Sequence, residues 1–252
     1  MFARLQGKSV LITGASSGIG EACAYQFAAA GANVMLTARR RERLEAVEQK
    51  ISAQWPTAKV HLAELDVRNQ EAVHKCIAGL PRQIDILVNN AGLALGIDPV
   101  SELTSDAIDT MIDTNIKGLL YVTRAVLPVM PKGGHIIMMG SIASITGYPG
   151  GSVYCATKSA LHSITEALRA ETISVPIKVT EIRPGMVETE FSVVRFGDKD
   201  KADNVYRGME PMTADDVAEA VVFAASRHPR CVVADVMLLA CGQASATLVH
   251  RN

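Results

Sequence analysis

Ser9-Val10-Leu11-Ile12-Thr13-Gly14-Ala15-Ser16-Ser17-Gly18-Ile19-Gly20 is the stretch whose reading decides the fold. A short aliphatic run, too brief for a helix, meets three glycines spaced GxxxGxG and then a segment of helical period. In that setting glycines allow a tight turn and let backbone approach a pyrophosphate, while the helix start offers unpaired N–H groups and a favourable dipole. An ordinary turn uses glycines too, so the segments on either side carry the decision.

Working outward, short aliphatic runs alternate with longer helical segments, the sequence form of repeated βαβ units around a parallel sheet. Strands are expected over 9–13, 33–37, 59–64, 84–89, 135–140, 177–182 and 235–239, and helices over 19–30, 41–54, 69–79, 104–128, 153–174 and 213–225. Along the fourth helix Ile108, Met111, Ile112, Asn115 and Leu119 recur at helical spacing and imply a buried stripe. No linker, repeat or charge block divides residues 1–252, so one domain is the economical reading. The stretch 184–211 lacks a clear period, and a long irregular loop in a compact domain tends to be a lid or binding element. Substrate contacts are expected there.

Composition narrows the function. The 252 residues are 48% hydrophobic and 20% charged, which excludes disordered and fibrous classes, and a net charge of −1 provides no overall field for nucleic acid or an anionic membrane. No secretory leader or apolar span is apparent, so a soluble cytoplasmic protein is expected. The five cysteines, Cys23, Cys76, Cys155, Cys231 and Cys241, have no CxxC spacing, which suits reduced thiols and implies no metal site.

The basic run Arg39-Arg40-Arg41-Glu42-Arg43 follows the second strand. An NAD enzyme usually places an acid there for the ribose hydroxyls, whereas this chain has Ala38 followed by the guanidinium forks of Arg39 and Arg40. Such forks match the dianionic 2′-phosphate of NADP(H). Farther on, Ser141 ends the fifth strand run and Tyr154-Cys155-Ala156-Thr157-Lys158 opens a helix. Residues four apart share a helix face, so Tyr154 and Lys158 address one space. A phenol is a poor base near neutrality, but an adjacent ammonium lowers its pKa. Tyr154 is therefore the expected acid/base and Ser141 the hydrogen-bond partner of the reacting oxygen. A nicotinamide would carry the hydride.

TGASSGIG, Asn89-Asn90-Ala91-Gly92, Asn115 in TNIKG, Ser141, YxxxK and Pro184-Gly185 together resemble the short-chain dehydrogenases/reductases in order and spacing, over almost the whole chain. The resemblance implies a single Rossmann-like, doubly wound α/β domain with a seven-stranded parallel sheet, helices on both faces, and a homotetramer or homodimer. It also implies that Gly14, Ser16, Ser17, Gly18, Ile19 and Gly20 cradle the cofactor, and that Asp66 and Val67 meet the adenine. Asn89, Ala91 and Gly92 would close over the cofactor, and Pro184, Gly185, Val187 and Thr189 would hold the nicotinamide amide. Asn115 would hold a water linking Lys158 to solvent, and Tyr154 and Lys158 would both contact the cofactor, Lys158 at the nicotinamide ribose.

IDILVNNAGLALG, MIDTNIKGLLYVTRAVLP, ETEFSVVRFGDKDKA and Val249-His250-Arg251 in the tail narrow the resemblance to the NADP-dependent 3-hydroxy acid and serine dehydrogenase branch. A small anionic substrate is then expected, with Arg195 as the candidate partner of its carboxylate. Ser144 and Cys155 depart from that branch, leaving a sulfonate or a neutral carbonyl compound as alternatives. A carbonyl reductase for larger apolar ketones or 3-oxoacyl groups is a second reading, and a noncatalytic NADP-binding sensor a third. His135 and His162 have no serine or carboxylate placed with them in the sequence and are not expected to be catalytic bases.

Overall fold

The aliphatic runs become seven strands: β1 (Ser9–Thr13), β2 (Asn33–Ala38), β3 (Val60–Glu64), β4 (Ile86–Asn89), β5 (His135–Met139), β6 (Lys178–Pro184) and β7 (Asp235–Leu238). The computed structural model describes residues 2–80 and 83–252. All seven strands pair in parallel in one sheet of order β3-β2-β1-β4-β5-β6-β7. Strands covered on both faces bury every position, which is why β1 and β5 are buried throughout and carry the unbroken apolar runs Val10–Ile12 and Ile136–Met139. The chain builds outward from β1 to β3, then returns to lay β4 against the other side of β1. That reversal opens a crevice at the carboxyl ends of β1 and β4, where ligands bind in open α/β sheets.

The crossovers are α1 (Gly18–Ala29), α2 (Arg41–Gln54), α3 (Gln70–Ala78), α4 (Ser105–Ile112), α5 (Leu119–Val126), α6 (Ser152–Glu171), α7 (Glu190–Phe196), α8 (Lys199–Tyr206) and α9 (Ala214–Ala225). Alternation along each strand divides the core in two. Val10, Ile12, Val34 and Val88 face Phe27, Leu44, Ile51 and Val221 on one side. Leu11, Met35, Leu87 and Met138 face Val122, Val126, Leu161 and Leu168 on the other.

Two segments differ from the sequence expectation. The helix expected over 104–128 is broken by a π-helical turn, Asp113–Gly118, between α4 and α5. The wide turn buries Asn115, whose amide bonds to the backbone of Leu93, and it presses Gly118 so closely on Val67 that a Cβ there would lie 2.6 Å from Val67 Cγ2. The stretch 184–211, expected to be irregular, holds α7 and α8. Each spans about two turns, too few for an apolar period to show, and each begins on a side-chain cap: Thr189 accepts from Phe191 N–H and Asp198 from Lys201 N–H.

His135 is buried at the start of β5, and Thr180 on β6 satisfies one ring nitrogen. Thr180 gives its own proton to Val233 O at 2.6 Å, so Nε2–H of His135 donates to Thr180 Oγ1 at 2.7 Å. Nδ1 has no partner among the described residues. Burial therefore holds the ring neutral and pulls its pKa down to about 3. The unfolded chain binds this proton near the ordinary histidine value and the folded one does not, so this contribution to stability is complete above that value and declines as pH falls toward 3. His135→Val is expected to flatten the acid side of the stability curve by up to about 1.4 kcal/mol per pH unit in that window. Urea midpoints of both proteins at a series of acidic pH values would show it, and parallel curves would contradict it.

Candidate active site

The crevice is closed at its base by a knot between the ends of β1 and β4. Thr13 Oγ1 accepts from the N–H groups of Asn90 and Ala91, both at 3.0 Å, and Asn90 Nδ2 donates to the carbonyls of Thr13 at 3.0 Å and Gly14 at 3.2 Å. Gly14 (φ +66°) and Gly18 (φ +57°) occupy the left-handed region, so the loop can turn directly into α1. Ser17, at the N-cap of α1, makes no side-chain cap, and its hydroxyl instead receives Arg40 at 2.9 Å. The N–H groups of the first turn of α1 stay available to an anion.

Gly14, Ser16, Ser17, Gly18 and Ile19 line the cleft, whereas Gly20 does not. A Cβ on Gly20 would sit 2.4 Å from the Gly14 carbonyl oxygen, so this glycine serves the packing of helix against loop. Asn89 also departs from its expected place. Its side chain turns into the interior and donates to Thr123 Oγ1 at 2.8 Å, because on β4 it shares a face with Leu87. Asn90, Ala91 and Gly92 line the cleft instead. The sequence reading passed over Asn90, although strand alternation beyond Val88 would have pointed to it.

At one end of the cleft lie Ala38, Arg39 and Arg40, with Leu65, Asp66 and Val67 beside them. The Arg39 guanidinium has no hydrogen-bond or ion-pair partner among the described residues. Arg40 bridges to Glu190 at 3.0 Å, and Arg43 reaches the same carboxylate at 3.3 Å. Arg68 grips Asp66 at 2.6 Å and holds its carboxyl below the usual carboxylate range, so Asp66 remains charged. Pro184, Gly185, Val187 and Thr189 line the opposite wall, continuing into Glu190, Phe191 and Val194 of α7.

Ser141, Tyr154 and Lys158 meet at the other end of the cleft. Ser141 Oγ accepts from Ala143 N–H at 3.1 Å, so its own proton is free for another oxygen. Lys158 Nζ donates to the Met139 carbonyl at 2.7 Å and lies 5.8 Å from the centre of the Tyr154 ring. Burial pulls the Lys158 ammonium down to about 8, against the attraction of Glu181. The expected lowering of the phenol by Lys158 is not what dominates. Burial pushes Tyr154 above the ordinary tyrosine value, and the groups that act downward are Ser141 and Arg195.

Asn115 stands just behind this group. Its Oδ1 accepts from Leu93 N–H at 2.9 Å, while Nδ2 donates to Leu93 O at 2.7 Å and to Thr157 Oγ1 at 3.1 Å. The amide thus pins the cleft-lining Leu93 to α6, one residue before Lys158. Arg195 lies outside the cleft lining, and its guanidinium donates to Gly96 O, Tyr148 Oη and Gly150 O. The two histidines set aside above are likewise committed within the structure: His135 to Thr180, and His162 to the fully buried Glu181 at 2.7 Å.

The sequence and the fold are both similar to those of known proteins. Residues 8–199 match the family model described as short chain dehydrogenase, and the chain belongs to that family. An NADP-dependent 3-hydroxy acid dehydrogenase of Schizosaccharomyces pombe is 47% identical, covering 99% of this chain and 98% of its own. A serine 3-dehydrogenase of Rhizobium radiobacter is 42% identical over 94% of this chain and 96% of its own. Among solved structures, the closed form of serine dehydrogenase complexed with NADP+ superposes with a TM-score of 0.90 at 42% identity, covering 97% of this chain and all of the other (100%).

Replacing Asn115 by alanine strands the buried N–H and C=O of Leu93. Asn115→Ala is expected to cost about 2–4 kcal/mol, read as a shift of the urea midpoint at constant slope. A loss below about 1 kcal/mol would show that water takes over the amide's bonds.

Proposed function

We propose that this protein is an NADP(H)-dependent oxidoreductase acting on a small 3-hydroxy acid or serine-like alcohol and the corresponding carbonyl compound. The observation that carries the reading is the convergence of Ser141, Tyr154 and Lys158 at one end of a cleft whose other end holds Arg39 and Arg40. The cleft suits such a cofactor: a loop in which Gly14 and Gly18 take positive φ, an α1 N-terminus without a side-chain cap, and cations in place of an acid after β2. Ser16 to Ile19 would bind the pyrophosphate, Arg39 and Arg40 the 2′-phosphate, Asp66 and Val67 the adenine, and Val187 and Thr189 the nicotinamide amide. When bound, the nicotinamide supplies or accepts the hydride.

The chain's own groups would handle the proton. Tyr154 gives its phenolic proton to the carbonyl oxygen in reduction and takes it back in oxidation. Ser141 donates to the same oxygen as negative charge develops on it. Lys158 would orient the nicotinamide ribose and add positive charge near the phenol, and Asn115, whose amide is taken up by Leu93 and Thr157, keeps Leu93 and α6 in register. The acidic and serine-like substrate assignment is supported by the two dehydrogenase relatives. Leu93, Phe191 and Val194 at the substrate end favour a second reading, a carbonyl reductase for apolar ketones.

A single domain over 1–252, with 184–211 forming the substrate side, accords with the continuous sheet. A homotetramer or homodimer is supported by exposed apolar side chains on α5 (Leu120), β7 (Met237) and the tail (Leu248). A cytoplasmic setting is supported by five unpaired cysteines.

The direct test measures initial rates with NADP⁺ and NAD⁺ against L-serine, 3-hydroxypropionate, 3-hydroxyisobutyrate, 2-hydroxyethanesulfonate and a neutral secondary alcohol. Turnover of the small carboxylates with NADP⁺ is expected, and turnover of the neutral alcohol alone would move the assignment to the second reading. Tyr154→Phe should lower kcat by roughly 100- to 10,000-fold in the same initial-rate assay. Arg40→Ala should weaken NADPH, but not NADH, by about 10- to 100-fold in a fluorescence titration. Because Glu190 competes with a phosphate for Arg40, Glu190→Gln should tighten NADPH by up to about fivefold, the scale of an exposed ion pair.

A further inference from the structure

Arg195 is the cation nearest the substrate end apart from Lys158, and its bonds point inward. Its backbone oxygen accepts from Gly96 N–H at 2.8 Å while its Nε donates to Gly96 O at 3.2 Å, a reciprocal bracket between α7 and the strap after β4. Nη2 donates to Gly150 O at 3.2 Å and Nη1 to Tyr148 Oη at 3.1 Å, which ties in the turn before α6. Those two segments already touch: a Cβ on Gly150 would lie 2.2 Å from Ile97 O. One guanidinium therefore joins three stretches of chain that surround the cleft's substrate end. Its plane also lies among aromatic rings, with its central carbon 5.6 Å from the centre of Tyr148, 5.8 Å from Tyr154 and 6.0 Å from Phe196.

We propose that Arg195 is a positioning residue for Tyr154, holding the substrate-side wall in place and keeping a permanent positive charge beside the phenol, and is not the partner of a substrate carboxylate. The inference rests on the reading of Tyr154 as the acid/base. Three of the five N–H donors of Arg195 are committed to the protein, and the side chain does not line the cleft. The groups facing the phenol are Lys158 and Cys155 on its own helix, Ser141 after β5, Tyr148 in the turn and Arg195 on α7. No carboxylate is among them. Of the two cations, Lys158 loses its proton near pH 8, whereas a guanidinium stays charged throughout. Arg195 is then the charge that still favours the phenolate on the alkaline side, where it opposes the effect of burial.

The experiment compares Arg195→Met, Arg195→Lys and Tyr154→Phe with the parent, using a carboxylate substrate and a neutral alcohol of similar size. kcat/KM is followed across pH at saturating cofactor, Tyr154→Phe marking the activity that does not depend on the phenol. Arg195→Met is expected to move the limb of kcat/KM that Tyr154 sets to higher pH by about one unit, a tenfold change in the ionisation constant. It should lower kcat for both substrates alike, with KM changed less than about threefold, and Arg195→Lys, which keeps a cation, should restore most of that shift. If Arg195→Met fails to fold, Arg195→Gln, which keeps hydrogen-bond donors and removes the charge, reads the same point: its limb should move upward while that of Arg195→Lys stays near the parent. A rise of more than about tenfold in KM for the carboxylate alone, with that limb unmoved, overturns the proposal and returns Arg195 to substrate binding. Full activity in Tyr154→Phe would instead remove the acid/base reading itself, whatever the Arg195 variants do.

Discussion

Everything in the cleft depends on how β1 and β4 part. At that point the sheet has no more ladder bonds to offer, and the exposed strand ends would be left unsatisfied. The side chains of Thr13 and Asn90 solve this by anchoring four hydrogen bonds across the gap: the threonine hydroxyl accepts from Asn90 and Ala91 N–H, and the asparagine amide donates to the Thr13 and Gly14 carbonyls. The knot frees the next residues to turn away from each other. Gly14 leads into α1 on one face, and Ala91 and Gly92 lead over the cleft floor toward Lys158, whose Nζ would lie 3.7 Å from a Cβ on Gly92.

The two ends of the resulting crevice work under different electrostatic conditions. Around Arg39 and Arg40 the side chains are exposed, so Glu190 can pair with Arg40 at modest gain and yield it to a stronger anion. Around Tyr154 the groups are buried, and desolvation outweighs pairing: the phenol rises and the lysine falls. Proton exchange at such a site requires neighbours that restore the charged form of the phenol. Ser141 after β5 and Arg195 on α7 act in that direction, and α7 is bracketed to Gly96 and Gly150.

Much of this was legible along the chain. The glycine spacing after β1, the absence of an acid after β2, and a serine placed before YxxxK are local patterns with direct chemical meaning, and the structure puts Ser141, Tyr154 and Lys158 on one cleft. Other parts could not be read. Asn89 and Asn90 look equivalent in sequence, and only the pleat of β4 sends the first into the core and the second to the crevice. Asn115 looks like a residue on an unbroken helix until the Leu93 backbone draws it into a π-helical turn.

By itself, the sequence determined the order of strands and helices along the chain and singled out the glycine loop and Ser141, Tyr154 and Lys158 as candidate site residues, because these rest on local periodicity and on side-chain chemistry at fixed spacing. Only the tertiary structure decided the direction in which Tyr154 and Lys158 are shifted and the partners of Arg195. Burial is set by what packs around a group, and the carbonyls that hold Arg195 lie 99 and 45 residues away along the chain. No local pattern encodes such a distance.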